Sequence, residues 1–150
     1  MNLSEQHGAG LSGIEQLRAV AASGMRSGIG DTMQFKLVLI EDGLVVFEGV
    51  PGLHVYNPIG MVHGGYAATL LDSACGCAVH TKLSASQAYT TLELKVSYLK
   101  AMTAETGLVC AEGKVIQMGR RAAFAEARLT DAAGTLYATA TSSLLVMDRK

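Results

Sequence analysis

The residues of this chain best suited to chemistry lie in one stretch, Asn57-Pro-Ile-Gly-Met-Val-His63-Gly64-Gly65-Tyr-Ala-Ala-Thr-Leu-Leu-Asp72. Two glycines opening a helix leave backbone N–H groups uncovered by side chains. Those N–H groups have no intrahelical partner, and the helix dipole adds partial positive charge there. Such a place stabilises an anion, or a carbonyl oxygen becoming one. The same glycines would equally suit a tight turn or close packing. Asp72 falls within an otherwise apolar, small-residue helix, where a carboxylate has poor propensity and is costly to desolvate without partners. Its wheel position lies off the centre of the Tyr66, Leu70 and Ala74 face, so a solvated flank is the plain alternative. Only Thr69 and Ser73 offer other polar groups nearby. His63 could be a base, but a ring that fixes the loop by hydrogen-bonding backbone is the favoured reading. His7, His54 and His80 show no partner pattern and read as ordinary.

Spacing constrains how these groups could cooperate. Eight residues of helix separate Gly64 from Asp72, roughly 12 Å. Reacting groups must lie within about 3–3.5 Å of one another. One carbonyl cannot touch both groups of the same helix, so joint action requires two chains and a site across a dimer interface.

The elements that must position these residues are readable from periodicity. Gly13 to Met25 places Ile14, Leu17 and Val20 at helical spacing, a short N-terminal helix after a loose segment over residues 1–12. Phe35 to Glu41 and Leu44 to Gly49 read as strands joined by Asp42-Gly43, a strong hairpin signal. A loop punctuated by Pro51 and Pro58 follows. From Val62 to Leu83 the period changes to that of a long helix with one wide apolar face. Beyond it, Leu92, Leu94, Val96 and Tyr98 alternate with Thr91, Glu93, Lys95 and Ser97. Three more strands follow, Leu108 to Met118, Ala122 to Thr130 and Leu136 to Val146, the last with Tyr137, Thr139 and Thr141 as its polar row. This is an α+β domain spanning residues 1–150, an antiparallel sheet packed on one long helix.

Composition narrows the function classes. The chain has 150 residues, 49% apolar and 17% charged, with net charge −1 and no Trp. Charges of both signs are scattered, which argues against a nucleic-acid surface. Three cysteines make no disulfide framework and suggest a reducing, cytoplasmic setting. Cys75 and Cys77, two apart on a helix, point roughly 200° apart and read as small core residues rather than metal ligands. No stretch approaches the roughly 20 apolar residues of a membrane span. Neither a metal nor a separate cofactor is expected.

At this segment the chain resembles the hotdog-fold acyl-CoA thioesterase superfamily, in particular its phenylacetate-degradation branch. The resemblance rests on Asn57, Gly60, His63-Gly64-Gly65, Leu71-Asp72, Gly76, the run Thr91 to Leu99, Gly119-Arg120, and Asp131 with Gly134-x-Leu136-x-Ala138-x-Ala140. It spans about residues 35 to 146. It implies a hotdog fold in which the sheet wraps the central helix, with two subunits pairing side by side as a dimer or a dimer of dimers. The Gly64 amide would polarise a thioester carbonyl, with Gly65 beside it. Asp72 from the partner subunit would act as nucleophile or general base. Asn57 would hold the thioester or the lytic water, and Thr91, with Thr90 second, would orient that water. Arg120 and Arg121 would meet the nucleotide end of coenzyme A, which enters as part of the substrate. An Arg pair suits phosphate chemically, being forked and permanently charged. Residues 1 to 30 match nothing in the pattern; their helix would cap the sheet or line the acyl pocket.

Two rivals share the fold. A hydratase would need Asp and His where this chain has Val55 and Gly60, so its catalytic pair is missing. A non-catalytic acyl-CoA binding or sensor module would keep the pocket without a carboxylate, against which Asp72 speaks.

Overall fold

The computed structural model describes residues 2–149. Three short helices come first: α1 (Leu3–Gly8), α2 (Gly13–Ala22) and α3 (Gly28–Thr32). The hairpin β1 (Phe35–Glu41) and β2 (Leu44–Gly49) follows, then the long helix α4 (Gly64–His80). Four strands complete the chain: β3 (Gln87–Tyr98), β4 (Val109–Met118), β5 (Ala122–Asp131) and β6 (Leu136–Asp148). All six strands form one antiparallel sheet in the order β1-β2-β4-β5-β6-β3, wrapped around α4 as the hotdog arrangement requires. Among the described residues, no helix is long and apolar enough to cross a membrane.

The hairpin and the long helix fall where periodicity puts them. Asp42-Gly43 makes the two-residue turn, with Glu41 opposite Leu44 and Gly43 at φ +77°. Three expectations need correction. Residues 1–12, expected to be loose, contain α1, capped by the Asn2 side chain, and a further unexpected helix, α3, capped by Ser27, follows α2. α2 ends at Ala22 rather than at Met25. Tyr137 is not an exposed member of a polar row. It is 6% exposed, lies under Lys100 and donates its hydroxyl to Asp131 Oδ2 at 2.9 Å.

α4 seats on the sheet through small residues. Tyr66, Leu70, Leu71, Ala74, Ala78 and Val79 are all buried against it. At the closest approach Gly113 of β4 faces the Ala74 carbonyl, and any Cβ at Gly113 would collide with it. Tyr66 extends the core to the β1–β2 edge, where its hydroxyl meets Gly49 without a hydrogen-bond partner.

The far end of α4 is tied to both termini. His80 Nε2–H donates to Gln16 Oε1 at 3.0 Å, and Gln16 is 1% exposed. Arg149 donates to the same Oε1 at 3.1 Å and to the Gln87 carbonyl at 2.8 Å. His80, read from sequence as ordinary, is therefore a buried joint. Burial, aided by the Arg149 charge, lowers its pKa to about 4. Between that value and the ordinary 6.5 the unfolded chain binds more protons than the folded one. Stability from neutral His80 is thus complete above pH 6.5 and drains as pH falls toward 4, by an amount on the order of 3 kcal/mol. Urea unfolding at pH 7 and pH 4.5 should show this loss, and His80→Gln should flatten it. Equal pH slopes for the two proteins would contradict the assignment.

Candidate active site

The start of α4 spends its backbone donors unequally. His63 is the N-cap, with extended backbone, and its Nδ1 accepts the Gly65 N–H at 2.8 Å. Tyr66 N–H bonds to the His63 carbonyl at 3.0 Å. The Gly64 N–H is left without a partner among the described residues. His63 therefore holds the helix start in the scaffold role favoured from sequence. Gly65, expected beside the substrate, gives its N–H to the cap.

The Gly64 carbonyl in turn accepts the Tyr98 hydroxyl at 2.9 Å. The peptide unit joining Gly64 to Gly65 is thus held at its oxygen by Tyr98 and at its nitrogen by His63. Both glycines have a steric reason. A Cβ at Gly64 would lie 3.1 Å from the Tyr98 ring, and one at Gly65 would lie 2.9 Å from His63 Nδ1. The preceding loop is pinned by His63 N–H to the Val55 carbonyl at 2.8 Å and by Val62 N–H to the Met102 carbonyl at 3.0 Å. Asn57 organises its tip: Oδ1 accepts from Ile59 N–H and Met61 N–H, each at 3.1 Å. Its Nδ2 group makes no hydrogen bond among the described residues.

Two turns along α4, Asp72 is half-buried and accepts a hydrogen bond from Thr91 Oγ1 at 3.1 Å. Thr90, the second choice, is exposed on the other face of β3. Strict alternation from the sequence would have placed Thr91 opposite Leu92, Leu94, Val96 and Tyr98. A β-bulge at Leu92 prevents this. Thr91 pairs with Leu144 and Glu93 with Ser143, so one residue is inserted and the parity flips. Tyr89 and Thr91 face inward before the bulge, and Leu94, Val96 and Tyr98 after it. Leu92 is turned out, 63% exposed. Ser142, 3% exposed, donates to the Glu93 carbonyl at 2.9 Å, giving the displaced backbone a partner.

Tyr98 and Ser142 were missed as positioning residues. Their signals were weak: a Tyr closing a strand, and a serine pair interrupting the apolar row of β6.

Arg120 and Arg121 are exposed at the β4–β5 turn, beside a groove lined by Gln87, Met147 and Asp148. Ala122 pairs with Leu145, which pairs with Thr90. The turn is therefore two strand spacings, roughly 10 Å, from the Asp72–Thr91 end of β3. Cys75 and Cys77 pack in or against the core. Burial, reinforced by the nearby Asp72 charge, pushes both thiols up to about 12. Neither supplies a thiolate near neutral pH.

One chain leaves the region uncovered. Ile59 is 83% exposed and Leu53 76%, and the outer edge of β3 carries no strand partner among the described residues.

Comparison with known proteins agrees with this architecture. A 1,4-dihydroxy-2-naphthoyl-CoA hydrolase of Listeria monocytogenes is 24% identical over 123 residues, 82% of this chain and 98% of that protein. A thioesterase family protein of Silicibacter pomeroyi superposes with a TM-score of 0.79 at 26% identity, covering 91% of this chain and 99% of that one. A phenylacetic acid degradation-related protein of Ralstonia eutropha gives 0.76 at 24% identity, covering 89% and 98%. Residues 59–138, more than half of the chain, match the family described as the Thioesterase superfamily, and they hold Gly64, Asp72 and Thr91, so the chain belongs to that superfamily.

Proposed function

We propose that this chain hydrolyses acyl-CoA thioesters to the free acid and CoA in a site assembled from two copies. The observation carrying this reading is the uneven helix start: the Gly65 and Tyr66 amides are both used, and that of Gly64 has no partner among the described residues. A thioester carbonyl accepting the Gly64 N–H gains charge stabilisation as its oxygen becomes negative. Asp72 of the partner copy supplies the oxygen chemistry, since within one helix it lies roughly 12 Å away. As general base it takes a proton from water, whose oxygen attacks the carbonyl carbon. As nucleophile it attacks directly, and water then opens the acyl-aspartyl anhydride. In either case the C–S bond breaks and the CoA sulfur leaves as thiolate, then takes a proton. The protonated state of Cys75 and Cys77 excludes them as competing nucleophiles.

Thr91 holds the Asp72 carboxylate and orients the water, Asn57 directs its uncommitted Nδ2 toward substrate or water, and Arg120 and Arg121 receive the phosphates of CoA. The substrate class is supported by the CoA hydrolase relative, and the second copy by the uncovered β3 edge and apolar loop tip.

Purified protein should release free thiol from acyl-CoA. Asp72→Asn should lower kcat by about 10²–10⁴-fold, the usual worth of a placed acid–base group. Full activity in the variant would defeat this mechanism. Tight acyl-CoA binding by wild type without any thiol release would instead favour the non-catalytic sensor. Tyr98→Phe should cost about fivefold in kcat with KM little changed, because it loosens the peptide beside the polarising amide without removing a substrate contact. A raised KM with kcat intact would place Tyr98 in ground-state binding.

A further inference from the structure

The helices α1–α3, which lie outside the residues 59–138 matched by the family, do not close down on the sheet they cover. A chamber of about 340 Å³ lies between them and the β1–β2 edge. That volume is at the lower end of ligand pockets, roughly 300–1,000 Å³. Its apolar wall comes from Leu17, Val20, Phe35, Leu37 and Phe47. Arg26 and Lys36 line it as well, and both are exposed to solvent. Neither makes an ion pair among the described residues. The nearest carboxylate in register is Glu48, opposite Lys36 across the hairpin and directed toward Cys110 Sγ at 4.0 Å.

The chamber lies at the opposite edge of the sheet from the strand that holds the proposed catalytic carboxylate. Asp72 is held by Thr91 on β3, at one edge of the sheet, and the chamber lies on β1, at the other. The two edges are five strand spacings apart in the sheet order, with α4 between them. Phe35, Phe47 and the buried Tyr66 fill the core between the chamber and the start of α4.

We propose that this chamber is a second binding site, for an alkyl carboxylate of medium chain length. The chain would lie against Leu17, Val20, Phe35 and Phe47, where apolar burial drives association. The carboxylate would remain at the mouth on the Arg26 guanidinium, whose forked donors match two carboxylate oxygens, with the Lys36 ammonium as a second cation. The assignment stands whether or not the chain hydrolyses thioesters.

Isothermal titration of the full chain with decanoate tests it. Decanoate should bind, and decylammonium, with an equal chain and the opposite charge, should bind at least about tenfold more weakly. The surface double variant Arg26→Gln/Lys36→Gln should weaken decanoate about tenfold. Val20→Trp should abolish binding by filling the chamber, while leaving thiol release from acyl-CoA unchanged. Three results would overturn the proposal: no decanoate binding at millimolar concentration, binding unaffected by the double variant, or equal affinity for the two head groups. Loss of acyl-CoA turnover in a folded Val20→Trp protein would also overturn it, because the chamber would then serve the catalytic acyl group.

Discussion

The contact on which the structure depends is the close approach of α4 to the sheet at Ala74 and Gly113. A helix can come that near only where neither surface presents bulk, and Gly113 presents no side chain at all. With Leu70, Ala74 and Ala78 facing the strands, α4 has a fixed axial position. That position sets Gly64 against Tyr98 and Asp72 against Thr91. A substituent at Gly113 would act on both ends of the proposed site through a residue that touches neither.

The second constraint is in β3. Its bulge reverses the facing of the strand between Thr91 and Leu94, so one strand holds both the carboxylate and the helix start. An unbroken strand could not do this, because Thr91 and Tyr98 are seven apart and odd separations face opposite ways. The extra residue makes up the difference, and Ser142 gives the displaced Glu93 carbonyl a donor. Bulges beside functional sites commonly re-aim a side chain in this way.

These two features mark the boundary of what the sequence discloses. The long helix, the Asp42-Gly43 hairpin and the strand regions follow local rules of period and turn chemistry, and they stand where those rules put them. The separation of Gly64 from Asp72 also follows from helix rise alone. The bulge does not, because Leu92 belongs to an apparently regular alternation and only its pairing with β6 expels it. The placement of β3 beside β6, rather than beside β4, is likewise a long-range outcome. α1 and α3, of six and five residues, are too short for periodicity to register. The role of His80 was hidden because its partners, Gln16 and Arg149, are 64 and 69 residues away in sequence.

The central claim is that the Gly64 N–H of one copy and Asp72 of another act on the same carbonyl. Subunit mixing tests it most directly. Gly64→Pro deletes the N–H at the first helical position, where the backbone tolerates proline and the exposed Tyr98 ring must yield to the added Cβ, and Asp72→Ala deletes the carboxylate. Each variant alone should be inactive. Mixed in equal amounts, the two should recover about a quarter of wild-type thiol release, since half the dimers are mixed and each has one intact site. No recovery, with mixed dimers verified by differential tagging, would contradict the shared site.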